Sequence, residues 1–122
     1  MLTGKKIVLG VSGGIAAYKM ANVASMLSKL HADIHVVMTE NATHFITPET
    51  FEVLTGNHCY TDTFARCMEL HVPHIALGTQ ADAILIAPAS ADVVGKIANG
   101  IADDMLTTCV LPATCPVMLA PS

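Results

Sequence analysis

The stretch Lys5-Lys6-Ile7-Val8-Leu9-Gly10-Val11-Ser12-Gly13-Gly14-Ile15 decides how the rest of the chain is read. Residues 5–11 form a nearly continuous, β-branched apolar run, the pattern of a strand buried on both faces of a parallel sheet. Glycines follow at once and provide a tight turn. Beyond them Ala17, Met20, Ala21, Val23, Ala24, Leu27 and Leu30 recur at threes and fours, so residues 15–30 present one helical face to a sheet. Residues 34–38 (IHVVM) read as a second strand, and the helix supplies the crossover that two parallel strands require. The chain thus starts with a βαβ unit.

Working outward, Pro48 opens a short helix over residues 48–54, which Gly56 and Asn57 end before a polar and aromatic stretch at 60–64. A helix over 74–80 precedes a buried strand at 83–87 (AILIA), a turn at 88–90 and a helix over 91–99. A further helix is expected to start near Asp103, whose carboxylate caps it, and residues 117–120 (VMLA) are the last strand. Strands alternating with helices predict an α/β fold: a Rossmann-like, doubly wound parallel sheet forming a single domain over residues 1–122. Ligands are expected at the carboxyl ends of its strands.

The chain of 122 residues is long enough for one core but not two. Its hydrophobic content of 52% against 13% charged residues predicts a surface that packs against further copies of itself. The net charge is -4 and the lysines and arginines are scattered, which excludes the basic stripe of a nucleic-acid binder. No apolar run reaches the roughly 18 residues of a membrane span, and residues 1–6 (MLTGKK) do not lead into a signal-peptide core. A cytoplasmic location without membrane association is expected. Cys59, Cys67, Cys109 and Cys115 form no CxxC pair and are read as reduced thiols, and no metal site is expected.

Between the first strand and helix, Ser12, Gly13, Gly14 and Ile15 offer backbone N–H groups, a helix dipole and a hydroxyl, a combination that favours an anion such as phosphate. The loop alone reads equally well as a tight βα turn. Its spacing is neither GxxxxGK[ST] nor GxGxxG, so neither ATP nor a dinucleotide is the first choice. Thr39 and Thr43 bring two more hydroxyls to the same sheet edge. Thr43 reads equally as a helix cap, and Glu40 as the ribose-binding acid of a dinucleotide site is disfavoured by the missing fingerprint.

Two later segments sharpen the reading. One is Val72-Pro73-His74-Ile75-Ala76-Leu77; the other runs from Ala87-Pro88-Ala89-Ser90-Ala91-Asp92 through Lys96-Ile97-Ala98-Asn99-Gly100-Ile101-Ala102-Asp103. With the glycine loop they resemble, in the same order, the motifs of the homo-oligomeric flavin-containing cysteine decarboxylases, and the resemblance runs from Ile7 to the end of the chain. Within that family it is nearest the branch acting on 4'-phosphopantothenoylcysteine. The resemblance implies a Rossmann-like protomer in a trimer or dodecamer, with FMN at the junction between subunits. Ser12, Gly13, Gly14 and Ile15 with Thr39 and Phe45 would hold the phosphate and ribityl end, and Ala89, Ser90 and Ala91 would line the isoalloxazine.

The implied activity is FMN-dependent decarboxylation of 4'-phosphopantothenoylcysteine to 4'-phosphopantetheine in coenzyme A biosynthesis. The substrate thiol is oxidised, the adjacent carboxylate is lost, and the electrons return to the product. His74 matches the family's active-site histidine. An imidazole titrating near neutral pH can take a proton from the substrate or position its carboxylate. His71 competes on spacing alone, and the following Ile-x-Leu selects His74; the pair is not expected to bind a metal.

Two departures stand out: Asp92 replaces the family's asparagine, exchanging an amide for an acceptor-only carboxylate. The family's Pro-x-Met-Asn-x-x-Met motif would begin near Pro121, so the C-terminal part of the domain is expected to be missing. A peptidyl-cysteine decarboxylase, a flavin prenyltransferase and a non-catalytic flavin-binding or regulatory subunit are the alternatives on the same scaffold.

Overall fold

The computed structural model of the chain describes residues 2–61 and 79–121. Strand β1 (Lys6–Val11) is followed by a 3-10 turn (Ile15–Lys19), helix α1 (Met20–Lys29) and strand β2 (Asp33–Met38). A second 3-10 turn (Asn41–His44) leads to helix α2 (Pro48–Thr55). After it come strand β3 (Ala83–Ala89), helix α3 (Ala91–Ala98), helix α4 (Met105–Val110) and strand β4 (Val117–Pro121). The strands form one all-parallel sheet in the order β2-β1-β3-β4, as the alternation of strands and helices predicts.

Successive side chains of a strand point to opposite faces, and this period divides the interior into two cores. Leu9 and Val11 of β1 and Ile34, Val36 and Met38 of β2 pack with Ala17, Met20 and Ala24 and with Phe51 of α2. Val8, Val37, Ile84 and Ile86 belong to the other layer, which Val93 of α3 and Met105 and Leu106 of α4 complete. Helices therefore cover both faces, which is why β1 reads as continuous apolar sequence rather than an alternation.

β1 lies between β2 and β3 and is approached closely by a residue of α4 at Gly10. A Cβ there would stand 2.5 Å from Leu106 Cδ1 and 3.2 Å from Ile86 Cγ1. Glycine at this strand position is thus a packing requirement imposed by α4.

The local structure departs from expectation in four places. Helix 15–30 begins as a 3-10 turn, because no side chain caps Gly14 and the Ala17 N–H closes a tighter ring on the Gly14 carbonyl at 2.9 Å. β3 continues through Pro88, expected to open a turn; the ladder with β4 shifts register between Ile86 and Ala89, so the absent proline N–H falls at an irregularity. The cap of α4 is Asp104, not Asp103: its carboxylate accepts from the Thr107 N–H at 2.8 Å, and Thr107 Oγ1 accepts from the Asp104 N–H at 3.2 Å. Beside β2, Tyr60 forms an isolated parallel bridge to Val37 that the sequence pattern did not reveal. Of the helix expected at 74–80, only Thr79 and Gln80 lie among the described residues, and both are helical.

No disulfide joins any two of the described cysteines, Cys59, Cys109 and Cys115. Burial, helped by the nearby Glu52 and Glu49 carboxylates, pushes the Cys59 thiol up to about 12, so it stays protonated and unreactive at neutral pH. Iodoacetamide at about pH 8 is expected to leave Cys59 unmodified in the folded protein and to label it once the chain is unfolded in guanidinium, as peptide mapping would show. Gly10→Val is expected to lower stability by roughly 1–3 kcal/mol through overpacking against Leu106, measured as a fall in the urea midpoint without a change in slope.

Candidate functional site

The chain leaves β1 towards β2 on one side, while β3, on the other side of β1, leads towards β4. The loops leaving the carboxyl ends of β1 and β3 therefore diverge, and a crevice opens between them. Here lies a cleft of about 730 Å³, within the size range of small-molecule and cofactor sites. Gly13, Thr39 and Ser90, three of the residues singled out from the sequence, line it together. Ser12, Gly14, Phe45, Ala89 and Ala91 are chain neighbours of lining residues without themselves lining it, and Ile15 lies two residues from Gly13.

The glycine loop is shaped for backbone approach. Among the described residues, no backbone carbonyl accepts a bond from the Gly13, Gly14 or Ile15 N–H, which leaves these donors at the start of the 15–29 helical segment. Gly13 packs directly on the β2 loop, since a Cβ would lie 2.4 Å from Asn41 Nδ2. The Ile15 side chain is 77% exposed and Phe45 is exposed as well.

Ser12 differs from its neighbours in being wholly buried. Its hydroxyl donates to the Pro88 carbonyl and accepts from the Ser90 N–H at 2.8 Å. Thr39 is buried, and its Oγ1 accepts from the Ala42 N–H at 3.2 Å, capping the second 3-10 turn. Thr43 is not that cap: its Oγ1 donates to the Glu40 carbonyl at 2.5 Å. On the β3 side Ala89 is buried, Ala91 is exposed, and Ser90 caps α3 by accepting from the Val93 N–H at 3.3 Å. His74 and His71 lie outside the described residues.

The far wall of the cleft is acidic, with Asp92, Asp103 and Asp104 present, and Glu40 adds a fourth carboxylate. Lys96 answers two of them: its Nζ lies 3.2 Å from Asp92 Oδ2 and 3.1 Å from Asp103 Oδ1. Hydrogen bonds to Asp103 and Asp92 hold this ammonium above its ordinary range. Asp92, the departure from the family pattern, is thus tied back along α3 by an i,i+4 pair rather than left bare in the cleft. Asp103, freed from capping, pins the loop before α4 to the same lysine. Lys96 was read only as part of a motif, without its ion pairs, and the role of Asn41 was not found from the sequence. The Asp92-x-x-x-Lys96 spacing was a usable signal, whereas the contact of Asn41 with Gly13 had none.

The cleft therefore offers free amides at the glycine loop and a charged, cross-braced wall near α3. Among the described residues no group of three or more His, Cys, Asp or Glu could hold a metal ion. No described helix is long and apolar enough to cross a membrane.

Comparison with known proteins agrees with this geometry. The profile of the flavoprotein family matches residues 1–122. The coenzyme A biosynthesis bifunctional protein CoaBC of Bacillus subtilis (strain 168) is 48% identical over 122 residues, all of this chain and 30% of the relative. The chain thus spans less than a third of the curated relatives it matches. Among solved structures, the FMN-dependent cysteine decarboxylase SpaF superposes with a TM-score of 0.87 at 36% identity, over 99% of this chain and 70% of its own. A cysteine-to-serine mutant of PPC decarboxylase complexed with pantothenoylaminoethenethiol gives 0.78 at 28% identity, over 97% and 66%. Sequence profile, relatives and fold all converge, and the chain belongs to the flavoprotein family.

Proposed function

We propose that this chain is the FMN-binding decarboxylase part of a coenzyme A biosynthesis protein, converting 4'-phosphopantothenoylcysteine to 4'-phosphopantetheine with release of carbon dioxide. The observation that carries the reading is the single cleft shared by Gly13, Thr39 and Ser90 at the switch point of the sheet, in a chain matched end to end by CoaBC relatives. The residues present fit a flavin mononucleotide: unbonded amides at Gly13, Gly14 and Ile15 suit a phosphate, and the cleft volume suits the rest.

In this reading the loop at residues 12–15, with Thr39 and Phe45, holds the phosphate and ribityl end, while Ala89, Ser90 and Ala91 flank the ring. Bound FMN supplies a two-electron acceptor that gives the pair back within one turnover, so no nicotinamide is consumed. His74 holds the substrate carboxylate or takes a proton from the substrate, tasks open to an imidazole side chain. Lys96 keeps Asp92 and Asp103 from opposing an anionic substrate with bare charge. The protein works in the cytoplasm as a homotrimer or homododecamer. Support for assembly comes from the exposed apolar side chains of Ile15, Tyr18 and Phe45 on and near the cleft loops.

A second reading is decarboxylation of a different cysteine-bearing substrate, such as a peptide, since the chain superposes on SpaF, an FMN-dependent cysteine decarboxylase, with a TM-score of 0.87 against 0.78 for PPC decarboxylase. The two readings separate on substrate. Purified protein is expected to show a flavin absorption spectrum and to release FMN on denaturation, and a colourless protein that takes up no added FMN would count against both. With FMN bound, turnover of 4'-phosphopantothenoylcysteine but not of peptides ending in cysteine is expected, read as carbon dioxide and product mass. His74→Asn should retain FMN and lose about 10²- to 10⁴-fold in turnover; an active variant would remove His74 from the mechanism.

A further inference from the structure

We infer that Ser12 is a positioning residue whose hydroxyl fastens the glycine loop after β1 to the Pro88-Ala89-Ser90 segment at the carboxyl end of β3, and that it does not itself touch the phosphate. The inference rests on the flavin reading above and assigns one residue a different task within it.

Three observations carry it. Ser12 is 0% exposed, so its side chain has no face towards the cleft. A serine hydroxyl has one proton, and here it is given to the Pro88 carbonyl while the oxygen accepts from the Ser90 N–H at 2.8 Å. The Ser12 N–H is also committed, donating to the Pro88 carbonyl at 3.3 Å. Residues 76 and 78 positions apart in sequence are thereby joined through one buried oxygen.

What the link holds is the geometry of the opposite wall. Ser90 has its backbone fixed by Ser12 and its side chain spent on capping α3 through the Val93 N–H. From α3 the Lys96 ammonium reaches Asp103, next to the Asp104 cap of α4. The glycine loop also runs close to the end of β3, where a Cβ on Gly14 would come into van der Waals contact with Pro88 Cγ at 3.6 Å. Removing the hydroxyl leaves the Ser90 N–H without its acceptor and loosens the ring end of the cleft, although the change is made at the phosphate end.

FMN and riboflavin distinguish this role from direct phosphate binding, because riboflavin lacks the phosphate. Dissociation constants for both are measured by fluorescence quenching with wild type and Ser12→Ala, and amide hydrogen exchange is followed at Ser90 and at a core amide such as Leu9. Positioning predicts that both flavins weaken by the same factor, about tenfold, and that Ser90 exchange accelerates about tenfold more than Leu9 exchange. Weakening confined to FMN, or unchanged Ser90 exchange, would overturn the assignment. Should Ser12→Ala fail to fold, Ser12→Cys keeps the size with a weaker donor and acceptor, and the same two comparisons apply. A wild type that binds neither flavin would defeat the proposed function, while the exchange comparison would still decide what Ser12 does.

Discussion

The adjacency of β1 and β3 is the constraint from which the site follows. Two parallel strands cannot be neighbours through a short connection, and here the chain completes β1, α1, β2 and α2 on one side before β3 is laid against the free edge of β1. Their carboxyl ends then point the same way with outgoing loops that part company. The crevice is a consequence of chain order. Whatever binds there meets the amide-rich start of one helical segment and the capped start of another, both facing the same opening.

That adjacency also sets how tightly the center must pack. β1 carries helices on both faces and strands on both edges, so its residues have nowhere to expand. Gly10 takes the pressure from α4, and Ser12, one residue past the strand, turns the same closeness into a hydrogen-bonded link across the switch point. Packing and polar satisfaction thereby reinforce each other: the buried hydroxyl is tolerated because both of its capacities are met.

Much of the fold was legible because it rests on periodicity. β1, α2, α3 and β4 appear within a residue or two of where apolar spacing, Pro48 and Gly56 place them. Two of the misplacements turn on a contact outside their own segment. Pro88 stays inside β3 because β4 shifts register beside it, and Asp103 leaves the capping role to Asp104 because Lys96 engages it. At the site, Gly13 and Thr39 were readable as loop chemistry at strand ends, and Ser90 through the family resemblance. The burial of Ser12 was not, since a serine after a glycine-rich strand looks the same in sequence whether it faces a ligand or a carbonyl.

The contact between Gly13 and Asn41 ties together two positions that local sequence logic treats as unrelated. Any residue larger than glycine at 13 brings its Cβ within 2.4 Å of Asn41 Nδ2 and 2.9 Å of Asn41 Cβ, so moving the tip of the amide does not relieve the clash. During divergence the two sites are therefore not free to drift independently. A lineage that gains a side chain at 13 must first shorten 41 or displace the loop after β2, and the pair should leave a covariation signal stronger than its separation of 28 positions along the chain would suggest.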